Sequence, residues 1–260
     1  MISITLPDGS IRAFAPGTTP MEVAKNISEG FARNVISASF EGTTIETSTP
    51  LTTDGSLILY TWNDAEGKKA FWHSTSHVMA QVLEEMFPGI QLTLGPAIAN
   101  GFYYDVDFGD QKITEADFKA IESRILEISK EKHEFKMRAV TKAEALETYK
   151  DNVYKTELIS NLEDGTITFC DHATFTDLCR GGHIPNTGII KAVKIMSVAG
   201  AYWRGDEKNK QLTRVYGTSF PKQKDLTEYL ELLEEAKRRD HRKLGKELEL
   251  FAFSQKVGQG

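Results

Sequence analysis

Two short segments hold the side chains of this 260-residue chain best suited to chemistry: His73-Ser-Thr-Ser-His77 and Asp177-Leu-Cys179-Arg-Gly-Gly-His183. Positions i and i+4 of a helix share one face, so His73 and His77 point the same way if that segment is helical. Gly181-Gly182 predicts a loop that lets backbone approach a ligand closely, with Cys179 and His183 at its ends. Neutral imidazole both donates and accepts protons near pH 7, so these groups can orient water around an ester without a metal. His73, His77, Cys179 and His183 equally match the ligand types of a zinc site, although their spacing is not that of a zinc finger. Alone, a His-x-x-x-His pair is as often satisfied by local hydrogen bonds, and an aspartate before a loop is often a cap.

These residues need elements to hold them. The histidine pair is expected at the start of a helix running from Ser74 to Phe87, where Val78, Val82, Leu83 and Met86 form an apolar stripe and Pro88-Gly89 ends it. GFYYDVDF (101–108) reads as a strand. Thr114-x-x-Asp117 opens a further helix whose Phe118, Ile121, Ile125 and Ile128 recur at helical spacing. Helical patterns at 141–149 and 155–162 precede the strand TITFC (166–170), and strands are expected at 191–199 and 213–220. Ahead of all this, ISITL (2–6) and SIRAF (10–14) flank Pro7-Asp8-Gly9 as a hairpin. Thr19-Pro20 caps a short helix that Gly30 closes, and VISASF (35–40) and LILYT (57–61) add strands. The fold class is therefore α+β: a β-grasp, ubiquitin-like domain over 1–62, then a larger α+β domain over 63–222. From Lys224 to about Leu248 one amphipathic helix of roughly 25 residues, near 38 Å long, reads as a connecting rod within a 223–260 segment.

Composition excludes several classes. With 40% hydrophobic and 26% charged residues the chain suits globular domains rather than disorder or fibres. No apolar run approaches the roughly 18 to 20 residues that span a bilayer, and MISITLPDGS has neither the basic nor the apolar region of a leader. Cys170 and Cys179, the only cysteines, are too few for a disulfide framework and point to a reducing cytoplasm. The net charge is −6, yet KRRDHRKLGK (237–246) is locally strongly basic, either a docking stripe for a polyanion or a solvated helix face.

Taken in order, PDGS, PGTTPMEVAKNIS, HSTSHVMAQ, LGPAIANGFYYDVD, VYKTELI, FTDLCRGGHIPNTG, AGAYWRGDEKNKQLTRVYGTSF and RRDHRKLGKELELF resemble the N-terminal half of bacterial threonyl-tRNA synthetases over essentially the whole chain. That resemblance implies a TGS-type β-grasp domain followed by an editing domain that hydrolyses the ester of mischarged seryl-tRNA(Thr). It also implies that the long helix leads to a class II catalytic domain this chain lacks, to which ATP and a zinc ion would belong. The editing residues it implies are His73, His77, Lys155, Asp177, Cys179 and His183, with Tyr104 as a pocket residue, Lys155 positioning or deprotonating water and Asp177 meeting either a lysine ammonium or the substrate's amino group. Gly182 departs from the family pattern, which more often has proline before the histidine.

Three functions stay open on these grounds. One is an editing hydrolase acting on tRNA(Thr) charged with serine, without a required cofactor and with Cys179 as a pocket wall. Another is a hydrolase with zinc held by His73, His77, Cys179 and His183, as in the related editing domains of alanine-specific enzymes. The third is a non-catalytic tRNA-binding or regulatory module. The chain is expected to be cytoplasmic and monomeric, and the longer parent implied by the resemblance a homodimer.

Overall fold

The computed structural model describes residues 1–239, which form one compact unit through Pro221 and a second from Lys222. In the first unit β1 (Ile2–Thr5) and β2 (Ile11–Phe14) pair as the expected hairpin. Helix α1 (Pro20–Ile27) begins with a capping box in which Thr19 and Glu22 satisfy each other's backbone N–H groups. It ends at Ser28, before the expected Gly30. Ser28 adopts an extended conformation and its hydroxyl caps a second short helix, α2 (Glu29–Ala32), in which Gly30 lies. Strand β3 (Val35–Phe40) follows, then β4 (Thr43–Ile45), too short and polar to show in the sequence, and β5 (Gly55–Thr61). The sheet order is β2-β1-β5-β3-β4, with β1 and β5 parallel, over a core of Ile2, Ile4, Leu6, Val23, Ala38, Leu51 and Leu57. This is a β-grasp sheet.

The chain turns directly from β5 into α3 (Ala65–Met86), nine residues earlier than expected. Ala70, Phe71 and Trp72 are buried there, so the first turns have an apolar face that the stripe beginning at Val78 did not reveal. Gly67 lets the helix pass β5, since a Cβ on it would meet the Thr61 carbonyl oxygen at 1.9 Å. The histidine pair therefore sits in mid-helix.

Next come β6 (Gln91–Leu92), β7 (Ala97–Ile98), β8 (Gly101–Asp107), α4 (Glu115–Glu131), β9 (Lys136–Ala139), α5 (Lys142–Thr148) and α6 (Val153–Ser160). They are followed by β10 (Thr168–His172), β11 (Phe175–Leu178), β12 (Ala192–Tyr202) and β13 (Gln211–Phe220). An antiparallel sheet of order β12-β13-β8-β6, with β7 on β8, packs under α3 and α4. Phe118, Ile121, Ile125 and Ile128 of α4 bury their stripe in the main core with Phe71, Met79, Phe102 and Val215. A separate three-stranded sheet, β11-β10-β9, packs with α5 and α6 around Val140, Ala145, Ile159, Ile167 and Phe169. Strand β11 was not visible in the sequence, and it carries Asp177.

The second unit shows α7 (Gln223–Arg238), with ion pairs Lys224–Glu228, Lys237–Glu234 and Arg239–Glu235 along its surface. The rest of the expected rod, the basic stripe beyond Arg239, and the expected start of a class II domain lie outside the described residues.

Candidate functional site

Between His73 and His77 stand three hydroxyl residues, which favour caps over helix interiors unless each finds a partner. All three do. The Ser76 hydroxyl donates to the Gly95 carbonyl at 2.6 Å, Thr75 lies 2.8 Å from the Ser219 hydroxyl, and Ser74 accepts from the Ile184 amide at 2.9 Å. This run of small hydroxyls in an apolar helix is the one local sign in the sequence that α3 is tied to other segments. Through Ser74, α3 holds the chain just after His183 against itself.

The seven side chains expected from sequence converge. His77 Nε2 is 3.4 Å from His73 Nε2, and His73 Nε2 is 3.1 Å from Cys179 Sγ. Cys179 Sγ is 3.3 Å from His183 Nε2. On the other side His77 Nδ1 lies 3.0 Å from Asp177 Oδ2, an ion-pair contact off the line of a good hydrogen bond. Tyr104 of β8 donates its hydroxyl proton to the same oxygen at 2.6 Å, and Lys155 of α6 donates to Asp177 Oδ1 at 2.5 Å. Asn152 caps α6 by accepting from the Tyr154 and Lys155 amides and anchors it by donating to the Leu92 carbonyl, which aims Lys155 inward. Asp177 thus meets a phenol, an ammonium and an imidazole, which leaves about one of its roughly four acceptor positions open.

Electrostatics follows from burial and from these partners. Burial opposes the charge on Asp177, but Lys155 and His77 outweigh it and hold the carboxyl well below its usual range. Burial and Asp177 together keep the Tyr104 phenol protonated far above its ordinary range, so it remains a donor. Burial likewise disfavours a thiolate at Cys179, yet His77, His183 and His73 around it pull the thiol well below its normal value. His73 goes the other way: burial lowers its pKa, leaving a neutral imidazole at the cavity wall. His183 and His77 are raised, burial being overcome by the sulfur and carboxylate groups they touch.

A cavity of about 600 Å³ opens onto this cluster. His73, His77, Tyr104, Lys155, Asp177 and Cys179 form part of its wall, and Arg180, Trp203, Arg204 and Arg214 add cations and an indole that sequence reasoning did not single out. Arg214 is held by two bonds to Asp105, at 2.7 and 2.8 Å, and lies over the Tyr103 ring. Glu46, also unanticipated, reaches His183 from the first sheet's side.

Two family models match this chain: the TGS domain over residues 2–61, and the threonyl and alanyl tRNA synthetase second additional domain over 167–216, which spans β10, β11, Cys179 and His183. The chain carries a TGS domain and a synthetase second additional domain. It is 92% identical over its full length to the threonine-tRNA ligase of Flavobacterium johnsoniae, covering 40% of that protein. It is 57% identical to that of Cytophaga hutchinsonii and 51% to that of Bacteroides thetaiotaomicron, covering 41% of each. The chain thus spans about two fifths of these relatives' length and corresponds to their N-terminal part. The TGS domain contributes the β-grasp sheet, and the second additional domain the strand and loop that hold Asp177, Cys179 and His183. Among the described residues no helix is long and apolar enough to cross a membrane.

Proposed function

We propose that the chain is the editing portion of a threonine-tRNA ligase and hydrolyses the ester of seryl-tRNA(Thr) in the cytoplasm. The observation that carries this reading is the convergence of two imidazoles, a thiol and a buried Lys155–Asp177 pair on one open cavity, with His183 packed behind the thiol; they come from α3, α6, β11 and the loop after it. A threonine pocket gains only about 1–3 kcal/mol from the methyl that serine lacks, so rejection of serine calls for a second, hydrolytic site. Hydrolysis needs a proton acceptor for water and donors for the developing oxyanion. His73 suits the first task. It is a neutral ring at the cavity wall with Nδ1 3.4 Å from the Gly95 carbonyl, and Nε2 can accept a proton from water on leaving its 3.1 Å contact with Cys179 Sγ. Lys155, bound to an ionised carboxylate, offers N–H donors to the ester. Arg180 and Arg204 at the cavity's edge suit the phosphates of a tRNA 3′ end. The Cys179 sulfur, enclosed by imidazoles, serves as wall and polar contact.

The test is single-turnover deacylation of seryl- and threonyl-tRNA(Thr) by the purified chain. Hydrolysis of the seryl ester alone supports the reading. Loss of neither ester, with tRNA still bound, favours the non-catalytic binding module.

A second reading has its own observation. Donor atoms of His73, His77, Cys179 and His183 lie within 4.8 Å of one another, and their closest pairs are separated by 3.1 to 3.4 Å, near the edge lengths of a tetrahedral zinc site. The residues thus fit the metal. Zinc held there would supply a Lewis acid and an acidified water, and stoichiometric zinc in purified protein would promote it over the cofactor-free route.

A further inference from the structure

Glu46 belongs to the TGS domain, just after β4, and lies 136 and 137 residues from the groups it binds. Its Oε1 accepts from the Gly182 amide at 2.9 Å, its Oε2 from the His183 amide at 3.1 Å, and Oε1 lies 3.0 Å from His183 Nδ1. The carboxylate is almost out of water, with 11% of the side chain exposed. A buried carboxylate that meets three N–H groups of one loop is a fixed anchor, because each bond gains from the low local dielectric and removal strands the remaining donors.

The local sequence is shaped to admit it. Gly181 and Gly182 have φ values of +97° and +88°, where side chains are strained. A Cβ on Gly181 would come within 3.2 Å of Glu46 Oε1, and one on Gly182 within 3.3 Å of Thr44 Cγ2. Proline at 182 would fix φ near −65° and delete the amide that Glu46 binds.

We propose that Glu46 of the TGS domain is a positioning residue of the deacylation site, holding the Gly181-Gly182-His183 loop and fixing the His183 ring so that Nδ1 carries a proton and Nε2 faces Cys179. An ionised carboxylate only accepts hydrogen bonds, so Nδ1 must donate. The ring's other contacts agree: it stacks on Phe135 with planes 8° apart, and Cys170 Sγ, 3.6 Å from Nδ1, adds no competing strong donor. The TGS domain thereby completes a site otherwise built by α3, β8, α6 and the second additional domain. The inference rests on the editing reading for its kinetic arm only.

The experiment uses the full chain carrying Glu46→Gln, an isosteric change that keeps one acceptor oxygen, which at the Oε1 position lies 2.9 Å from the Gly182 nitrogen and 3.4 Å from the His183 nitrogen; an unchanged far-UV spectrum shows that the variant folds, and Glu46→Asp replaces it if it does not. Two quantities are read: seryl-tRNA(Thr) deacylation, and the ¹⁵N signals of the His183 ring, assigned by single substitution. The expected result is a kcat lowered roughly ten- to a hundredfold, the range for outer partners of functional histidines, with KM nearly unchanged and a shifted His183 Nδ1 resonance while His172 and His133 stay in place. An unshifted His183 ring overturns the proposal whatever the rate does, and so does a shifted ring with unchanged kcat or a loss confined to KM. If the unsubstituted chain hydrolyses no seryl ester, the editing reading falls, and the ring signals alone decide whether Glu46 holds the proton on His183 Nδ1.

Discussion

Lys155 Nζ sits 2.5 Å from Asp177 Oδ1, with 2% and 4% of the two side chains exposed. Removing one partner of a buried ion pair strands the other charge, which typically costs about 3–5 kcal/mol, whereas removing both can be nearly neutral. The lysine is therefore part of the fold as well as of the proposed site, and its loss is not confined to the proposed deacylation.

Lys155→Met should lower both the denaturation midpoint and the deacylation rate, and Asp177→Asn should do the same. The double variant should recover much of the stability while staying inactive. Urea unfolding and deacylation on the three proteins check this; an additive loss of stability would mean the pair is not coupled.

His172 is 2% exposed, packed near Phe135 and Phe175, and neither ring nitrogen has a protein hydrogen-bond partner. Burial, reinforced by the charges of His77 and His183, lowers its pKa from 6.5 to about 3. Between those values the unfolded chain binds a proton that the folded chain does not, so stability falls as pH falls from about 6.5 toward 3, by a few kcal/mol in total. Asp177 also loses its contribution in acid, but only below the ordinary carboxyl pKa of 3.8. His73, also lowered by burial, adds a slope of the same sign between pH 4 and pH 6.5, so the share of His172 is read from its substitution. His172→Phe should flatten the slope there, and an unchanged slope would assign it to another group.

The two cysteines should differ sharply toward an alkylating agent. Burial pushes the Cys170 thiol up to about 11, while the imidazoles around Cys179 pull that thiol down and its sulfur borders the cavity. Iodoacetamide at pH 6.5 should label Cys179 and spare Cys170, as peptide mass spectrometry would show. Added zinc should protect Cys179 if the four donors bind the metal. Equal labelling of both sites would refute the charge pattern described for the cluster.

Gly67→Ala tests the junction of β5 with α3. In an ordinary helix interior the change stabilises by about 0.8–1 kcal/mol. Here the new methyl would meet the Thr61 carbonyl oxygen at 1.9 Å, a backbone atom that cannot swing aside, so the sign should reverse. A melting temperature several degrees lower is expected, and a higher one would show that the junction can relax.

Much of this protein was legible one segment at a time. The Thr114–Asp117 capping box, the stripe Phe118-Ile121-Ile125-Ile128, the hairpin at Pro7-Asp8-Gly9 and the shared face of His73 and His77 depend on residues a few positions apart, where backbone periodicity and caps act directly. Helix α3 began early because Ala70, Phe71 and Trp72 are buried by distant elements, which no local window registers. The chemistry of Lys155 lay beyond local reasoning as well. By type and spacing it reads as a surface lysine, and resemblance alone singled it out until Asp177, on a strand too short to announce itself, was found to hold it. Glu46 lies further still from any local signal, since its partners are more than a hundred residues away and nothing near it in the chain specifies them. Residue type and spacing thus marked His73, His77, Cys179 and His183 as candidates and the helix that carries the first two, while resemblance added Lys155 and Tyr104. Tertiary packing alone decided which are buried, which are paired and which are charged, because desolvation and Coulomb energy depend on distances in space rather than on separations along the chain.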